Sequence, residues 1–119
     1  MGEGPPGAAG GWGFTLGEEE TGSSTYGEAV NQCLNKTTDG YNWRLPSLFN
    51  FHRACAEQGG NGTGECASDV YHWTTTKTNR EYLTAMGVYG LYYVYAPGYG
   101  YKNDGADAMR DYYNVRCLR

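Results

Sequence analysis

Basic charge, long apolar runs and closely spaced cysteine pairs are all scarce in this chain of 119 residues. Lysine and arginine number 9 against 13 aspartates and glutamates, and the formal net charge of −4 argues against a nucleic-acid binder, which would carry a basic face. No run approaches the ~20 apolar residues of a membrane span, so membrane insertion is not expected. The sequence has no Cys-x-x-Cys pair, which argues against a zinc site, and we expect no metal and no cofactor.

The beginning of the chain lacks both apolar periodicity and the features of a targeting segment. Residues 1–11 are almost entirely Gly, Pro and Ala, which predicts a flexible arm. They contain no charged n-region and no apolar h-region, so they do not form a secretory signal, although a domain excised from a longer protein would look the same. Residues 12–119 are long enough for a single compact domain.

Tyrosine and glycine, in contrast, are abundant, with 12 and 19 residues. Eight of the tyrosines lie within residues 87–119, among Gly, Ala, Asn and Asp, which is the mixture that antibody paratopes use. This segment carries four basic and three acidic residues and is therefore nearly neutral. Its composition suits contact with a protein or a glycan better than contact with nucleic acid.

Two amphipathic helices are predicted in the first half of the chain. Thr25 and Glu28 form a capping box that begins a helix running to about Asn35, with an apolar face made of Tyr26, Ala29, Val30, Cys33 and Leu34. Ser47 is a suitable N-cap for a second helix that ends near residues 59–60. Its buried face is predicted to contain Leu48, Phe51, His52 and Cys55.

Short strands account for most of the remaining apolar residues. We predict strands over residues 12–16, 70–76, 89–95 and 112–118, a solvated turn or edge at 18–20 and a loop over 99–111. In the third strand, alternation places Tyr92 and Val94 on one face and Tyr93 and Tyr95 on the other. Two helices and several short strands predict an α+β domain.

The four cysteines predict two disulfides, with three possible connectivities. Cys55 and Cys66 bracket a Gly-rich loop, so we pair them, which leaves Cys33 to bond Cys117. In the chain-entropy model, the Cys55–Cys66 bond stabilises the folded state by about 3 kcal/mol and the Cys33–Cys117 bond by about 4–5 kcal/mol. Disulfides indicate an oxidising location or a host whose intracellular proteins tolerate disulfides, and the first favours a cell-surface, secreted or virion-associated protein.

In combination, the order of motifs resembles a known fold. A Cys-bearing helix, Trp43-Arg44-Leu45-Pro46 before a second helix, a Trp-Thr-Thr-Thr strand and the ending Val115-Arg116-Cys117-Leu118-Arg119 resemble C-type lectin fold proteins. The similarity covers about residues 24–119. It is greatest to the branch that includes formylglycine-generating enzymes and the variable proteins of diversity-generating retroelements. In C-type lectin folds a first-helix cysteine commonly bonds a last-strand cysteine, in agreement with the Cys33–Cys117 pairing.

The resemblance to retroelement variable proteins implies a function for the Tyr-rich segment. In that family template adenines are randomised, so that Asn codons become Tyr, Asp, Ser, Gly, Ala and others, and a constant last strand follows the variable region. Here the variable region would cover about residues 85–113. The implied activity is ligand binding rather than catalysis, through Tyr89, Tyr92, Tyr93, Tyr95, Tyr99, Tyr101, Asn103, Asp104, Asp107, Tyr112 and Tyr113.

Two alternatives remain open at this stage. A formylglycine-generating type of enzyme would need a closely placed pair of reactive cysteines near the end of the chain, where only Cys117 lies. A structural or adhesin subunit of a surface appendage would use the Tyr-rich segment as a fixed assembly interface and would form oligomers.

The Glu-Pro-Asn and Trp-Asn-Asp motifs of calcium-dependent lectins are missing, and His52 and His72, the only histidines, are interpreted as structural.

Overall fold

The computed structural model describes residues 15–84 and 87–119, with the side chains of 15–79 and 90–119. The predicted arm at 1–11 and most of the first predicted strand lie outside these residues. The protein is α+β, as predicted. Its helices are α1 (Tyr26–Leu34) and α2 (Leu48–Glu57), and its strands are β1 (Leu16–Glu19), β2 (His72–Thr84), β3 (Gly87–Ala96), β4 (Tyr101–Asp107) and β5 (Arg116–Leu118).

Both predicted helices are confirmed, together with their N-caps. The Thr25 amide donates to the Glu28 carboxylate at 3.0 Å, and the Asn50 amide donates to Ser47 Oγ at 3.0 Å. The buried stripes are narrower than predicted. Leu34 and His52, which the spacing assigned to the apolar faces, are exposed, because they lie one residue beyond the buried Cys33 and Phe51 and hence about 100° around the helix.

Two antiparallel sheets organise the strands. β2, β3 and β4 form one sheet in that order, with Trp73 opposite Val94 and Tyr92 opposite Ala106. β1 and β5 form the second, with Leu16 opposite Leu118. The second sheet joins the beginning of the described chain to its end, so the Tyr-rich segment of residues 87–119 ends in this pair of strands.

The prediction of a loop over residues 99–111 is wrong for its central part. Residues 101–107 form β4, which pairs with β3 so that Tyr101 faces Ala96 and Ala106 faces Tyr92. β4 lies at the edge of its sheet, where polar residues are common, so its composition resembles that of a loop. The final strand is shorter than predicted, because Tyr113 and Asn114 form only isolated bridges.

The core consists of two packed clusters, each holding one disulfide. The first contains Trp43, Trp73, Val94 and Val115 with the Cys33–Cys117 bond, whose Cα atoms are 5.4 Å apart. The second contains Leu16, Phe51, Tyr95 and Leu118 with the Cys55–Cys66 bond, whose Cα atoms are 5.7 Å apart. Both predicted pairings are confirmed, and the longer one ties α1 to β5.

A partly buried polar network links β1 to β2 and to β5. Glu19 was predicted to lie in a solvated turn or edge, but its carboxylate contacts His72 Nε2 at 3.0 Å and accepts a hydrogen bond from the Asn114 amide. Arg116 Nε lies 3.8 Å from the same carboxylate, and Arg116 also donates to Glu65 Oε1 at 3.0 Å. The Glu19 side chain is 28% exposed, because it lies in β1 and faces His72 and Arg116 on the neighbouring strands.

The protonation of this network depends on two opposing effects. Burial lowers the pKa of His72, although Glu19 and the Val70 carbonyl, 2.9 Å from Nδ1, favour the charged ring. Burial raises the pKa of Glu19, but the hydrogen bonds from Asn114 and His72 and the charges of His72 and Arg116 outweigh it, so this pKa lies below its ordinary value. His72 is fully buried and joins two strands, which is a structural role.

Candidate ligand-binding surface

Three tyrosines of the Tyr-rich segment are largely exposed. Tyr99, Tyr101 and Tyr112 expose 58%, 62% and 61% of their surface. The rings of Tyr99 and Tyr101 stack, with centroids 5.3 Å apart and an interplanar angle of 21°. We call these two rings the tyrosine stack. Aromatic rings in this position bury little surface on folding, so they contribute little to the stability of the domain.

The turn that carries the tyrosine stack is held in place by two glycines. Gly98 packs directly against the backbone at Ser68, where an added Cβ would lie 2.7 Å from the carbonyl oxygen. Gly100 has a φ of +73°, a conformation that side chains disfavour. The Tyr99 hydroxyl also donates to Asp69 at 3.3 Å. The stack is therefore presented on a turn fixed against the preceding loop.

Polar and cationic groups lie beside the stack on β4. Lys102 is exposed, and its ammonium lies 5.7 Å from the ring centroid of the half-buried Tyr93. Asn103 is exposed, and its side-chain oxygen accepts a hydrogen bond from the Gly105 amide at 2.8 Å. Asp104 is half-buried. Exposed aromatic rings among adaptable polar groups form the kind of surface found at protein interfaces.

Tyr92 and Tyr113 lie closer to the core than the stack does. The ring of Tyr92 stacks on Tyr26 of α1 at 4.0 Å, and Tyr113 meets Trp73 edge-on at 5.2 Å. Burial and the neighbouring Tyr92 raise the pKa of Tyr26 to about 12. Burial likewise raises the pKa of Tyr113. Tyr92 and Tyr113 therefore contribute mainly to packing around the first core cluster.

Two residues of the predicted binding set are buried instead of displayed. Tyr95 is 2% exposed and packs on Phe51 at 5.2 Å, because its face of β3 is covered by α2. Asp107 is 6% exposed and shapes the turn after β4, where it accepts from the Met109 amide at 2.9 Å and from Arg110 Nε at 3.1 Å. Tyr89 belongs to β3, and its side chain lies outside the described part of the chain.

A pocket that the sequence did not indicate lies between α2 and the turn that carries the stack. Its volume is about 410 Å³, within the range of small-molecule sites, and its lining consists of Leu48, Phe49, His52, Tyr95, Gly100 and Lys102. Phe49 is 64% exposed. The only sequence signal for this pocket was the position of Phe49 off the buried stripe of α2. No local pattern indicates the pocket itself, because it is formed by residues about 50 positions apart.

The chemistry available at this surface is recognition through aromatic contacts and hydrogen bonds. All four cysteines are engaged in disulfides. Among the described residues, no group of His, Cys, Asp or Glu could hold a metal ion. None of the helices in the described ranges is long and apolar enough to cross a membrane.

Comparison with known proteins adds no relative to this description. A scan against protein-family models finds no match, and a search of curated proteins also finds none.

Proposed function

We propose that this protein is a ligand-binding module that presents an exposed, Tyr-rich surface to a protein or glycan ligand. The observation that carries the proposal is the tyrosine stack, in which two rings are more than half exposed on a turn fixed by Gly98 and Gly100. Tyrosine provides a large, stiff and amphipathic contact area at low entropic cost. The binding set consists of the stack with Tyr93, Lys102, Asn103 and Tyr112, while the buried Tyr95 and Asp107 support it.

The finer assignment within this proposal is a C-type lectin fold of the retroelement variable-protein type. Three features support it: the pairing of β1 with β5, the disulfide from α1 to β5, and the return of the Tyr-rich segment to β5. The exposed positions include Tyr99, Tyr101, Asn103 and Tyr112, whereas the final residues 115–118 are buried. A varying surface followed by a constant last strand is what that family implies.

A double variant, Tyr99→Ser with Tyr101→Ser, tests whether the tyrosine stack is needed for binding but not for folding. The purified protein is tested on a glycan array and on a panel of purified cell-surface proteins, together with this variant. We expect the variant to lose at least tenfold in affinity for any ligand that the wild type binds, with an unchanged melting temperature. Leu34→Ser is the matched control, since Leu34 is 62% exposed on α1, outside the proposed surface. Equal binding by the double variant would refute the proposal.

The diversification proposal has a separate test in the genome of the source organism. We expect a reverse-transcriptase gene nearby and a template repeat that matches the codons of residues 85–119 except at adenines. Mismatches should concentrate at exposed positions such as Tyr99, Tyr101 and Tyr112. A genome with neither the gene nor the repeat would contradict the retroelement assignment. It would not affect the binding proposal, which the glycan array and protein panel test.

A further inference from the structure

The pocket beside the tyrosine stack combines an apolar wall with two polar groups. Leu48 and Phe49 form the wall, and Phe49 is more than half exposed although it is a large apolar residue. Lys102 and His52 are the cationic and imidazole groups of the lining. The pocket lies next to the stack, because Gly100 lines it between Tyr99 and Tyr101. A pocket of this size with few polar groups is typical of small-ligand sites.

A chain of hydrogen bonds determines the tautomer of His52. The Asn61 amide nitrogen donates to the Pro97 carbonyl at 2.8 Å, which fixes the orientation of the amide, and to the Tyr95 hydroxyl at 2.9 Å. The hydroxyl therefore accepts from Asn61 and gives its own hydrogen to His52 Nδ1, 3.1 Å away. In this arrangement the neutral ring carries its hydrogen on Nε2.

His52 thus offers an N–H donor to the pocket. The described residues provide no acceptor to Nε2, and the ring is exposed along the pocket lining. Lys102 provides a second donor with a full positive charge, and its nearest described partner is the face of Tyr93. Two donors that line one pocket can serve the two oxygens of a single carboxylate. The protein as a whole is acidic, so this local pair of donors stands apart from its surroundings.

We propose that the pocket binds a carboxylate attached to an apolar body. The carboxylate accepts from Lys102 and His52 Nε2, while the apolar body lies against Phe49 and Leu48. This inference rests on the proposed function, because it names the chemical class of ligand that the surface around the stack recognises. Of the two natural sources of such a carboxylate, a peptide C-terminus with an apolar last residue fits both contacts, whereas an acidic sugar offers the carboxylate without the apolar body.

The test uses three small probes and measures affinity by NMR titration of the intact protein. N-acetylphenylalanine carries a carboxylate on an aromatic body, its amide lacks the charge, and N-acetylneuraminic acid carries the carboxylate on a sugar. We expect N-acetylphenylalanine to bind, and its amide and N-acetylneuraminic acid each to bind about tenfold more weakly. Binding of N-acetylneuraminic acid in preference to N-acetylphenylalanine would overturn the peptide source and assign the pocket to an acidic glycan.

Three variants separate the charge contact from the apolar contact. Lys102→Met should lower the affinity for the acids about tenfold and leave the affinity for the amide unchanged. Phe49→Ser should lower the affinity for N-acetylphenylalanine and for its amide alike. Lys77→Met is the matched control, since Lys77 is exposed on β2 and does not line the pocket. Failure of both acids to bind at millimolar concentration, or equal effects of Lys102→Met and Lys77→Met, would overturn the proposal. Either result would leave the array experiment with Tyr99→Ser/Tyr101→Ser unaffected, so the two failures are distinguishable.

Discussion

The two disulfide-linked clusters and the tyrosine stack show opposite uses of aromatic side chains in one small domain. In the clusters, Trp73, Phe51 and Tyr95 are almost completely buried and contact residues from both helices and both sheets. In the stack, Tyr99 and Tyr101 contact mainly each other and solvent. Stability is therefore concentrated in the clusters, and the stack is available for recognition. Substitutions in the two regions should have effects of very different size.

The largest loss of stability is expected from the disulfide that ties α1 to β5. Replacing Cys33 and Cys117 by Ala opens a loop of 84 residues and should lower the free energy of unfolding by about 4–5 kcal/mol. Replacing Cys55 and Cys66, whose separation is 11 residues, should cost about 3 kcal/mol. Urea denaturation of both double variants measures the difference. Equal losses would show that loop closure is not the dominant contribution.

A similar loss is expected from deleting a buried ring. Phe51→Ala removes a fully buried side chain that packs against Tyr95 and His72, and should cost about 3–5 kcal/mol. Phe49→Ala, two residues away on the exposed side of α2, should cost less than about 0.5 kcal/mol. The midpoints of chemical denaturation of the pair give the comparison, and similar values would mean that α2 packs differently from the structure described here.

The polar network should give an intermediate effect. Glu19→Gln removes the charge that His72 and Arg116 face, and should cost about 1–3 kcal/mol at neutral pH. Denaturation of this variant and of the wild type at the same pH measures the loss. Glu18→Gln, the neighbouring carboxylate, is the control and should have little effect. A loss as large with Glu18→Gln would show that net charge matters and the network does not.

The same network predicts that acid destabilises the protein. The pKa of His72 is lowered from 6.5, so the folded state binds fewer protons than the unfolded state, and stability falls as the pH drops below about 6.5. The pKa of Glu19 is lowered from 4.5, so its contribution is present above about pH 4.5 and is lost as the pH falls through the folded value. Denaturation from about pH 8 to about pH 2 should show both declines, because the folded pKa of Glu19 lies below 4.5. His72→Gln should remove the decline in stability that begins below about pH 6.5. If this variant loses stability with pH as the wild type does, His72 is not the group responsible.

The sequence predicts the parts of the molecule in which local signals and tertiary structure agree. The caps at Thr25 and Ser47 and the bracketing of the Gly-rich loop by Cys55 and Cys66 are local features, and the structure confirms them. β4 was missed, because its pairing with β3 provides hydrogen bonds that its polar composition does not indicate. The inward position of Glu19 likewise depends on a partner strand about 100 residues away.

The candidate surface was predictable in composition but not in detail. An excess of tyrosine within residues 87–119 indicated a binding region, and Tyr99, Tyr101 and Tyr112 are indeed exposed. Tyr95 is buried because α2 covers its strand, a contact between segments more than 40 residues apart. For the same reason no sequence pattern could join Phe49 and His52 to Lys102 in one pocket.

The smallest effects on folding are expected at the tyrosine stack, and a library experiment tests this most directly. Codons for Tyr99, Tyr101, Asn103 and Tyr112 are randomised in one displayed library, and codons for Trp43, Phe51, Trp73 and Leu118 in another. Resistance to protease then measures the folded fraction of each. We predict that most members of the first library remain folded, because exposed substitutions cost less than about 0.5 kcal/mol each, and that few members of the second do. Equal folded fractions would contradict the division of this domain into a stabilising core and a surface that is free to vary.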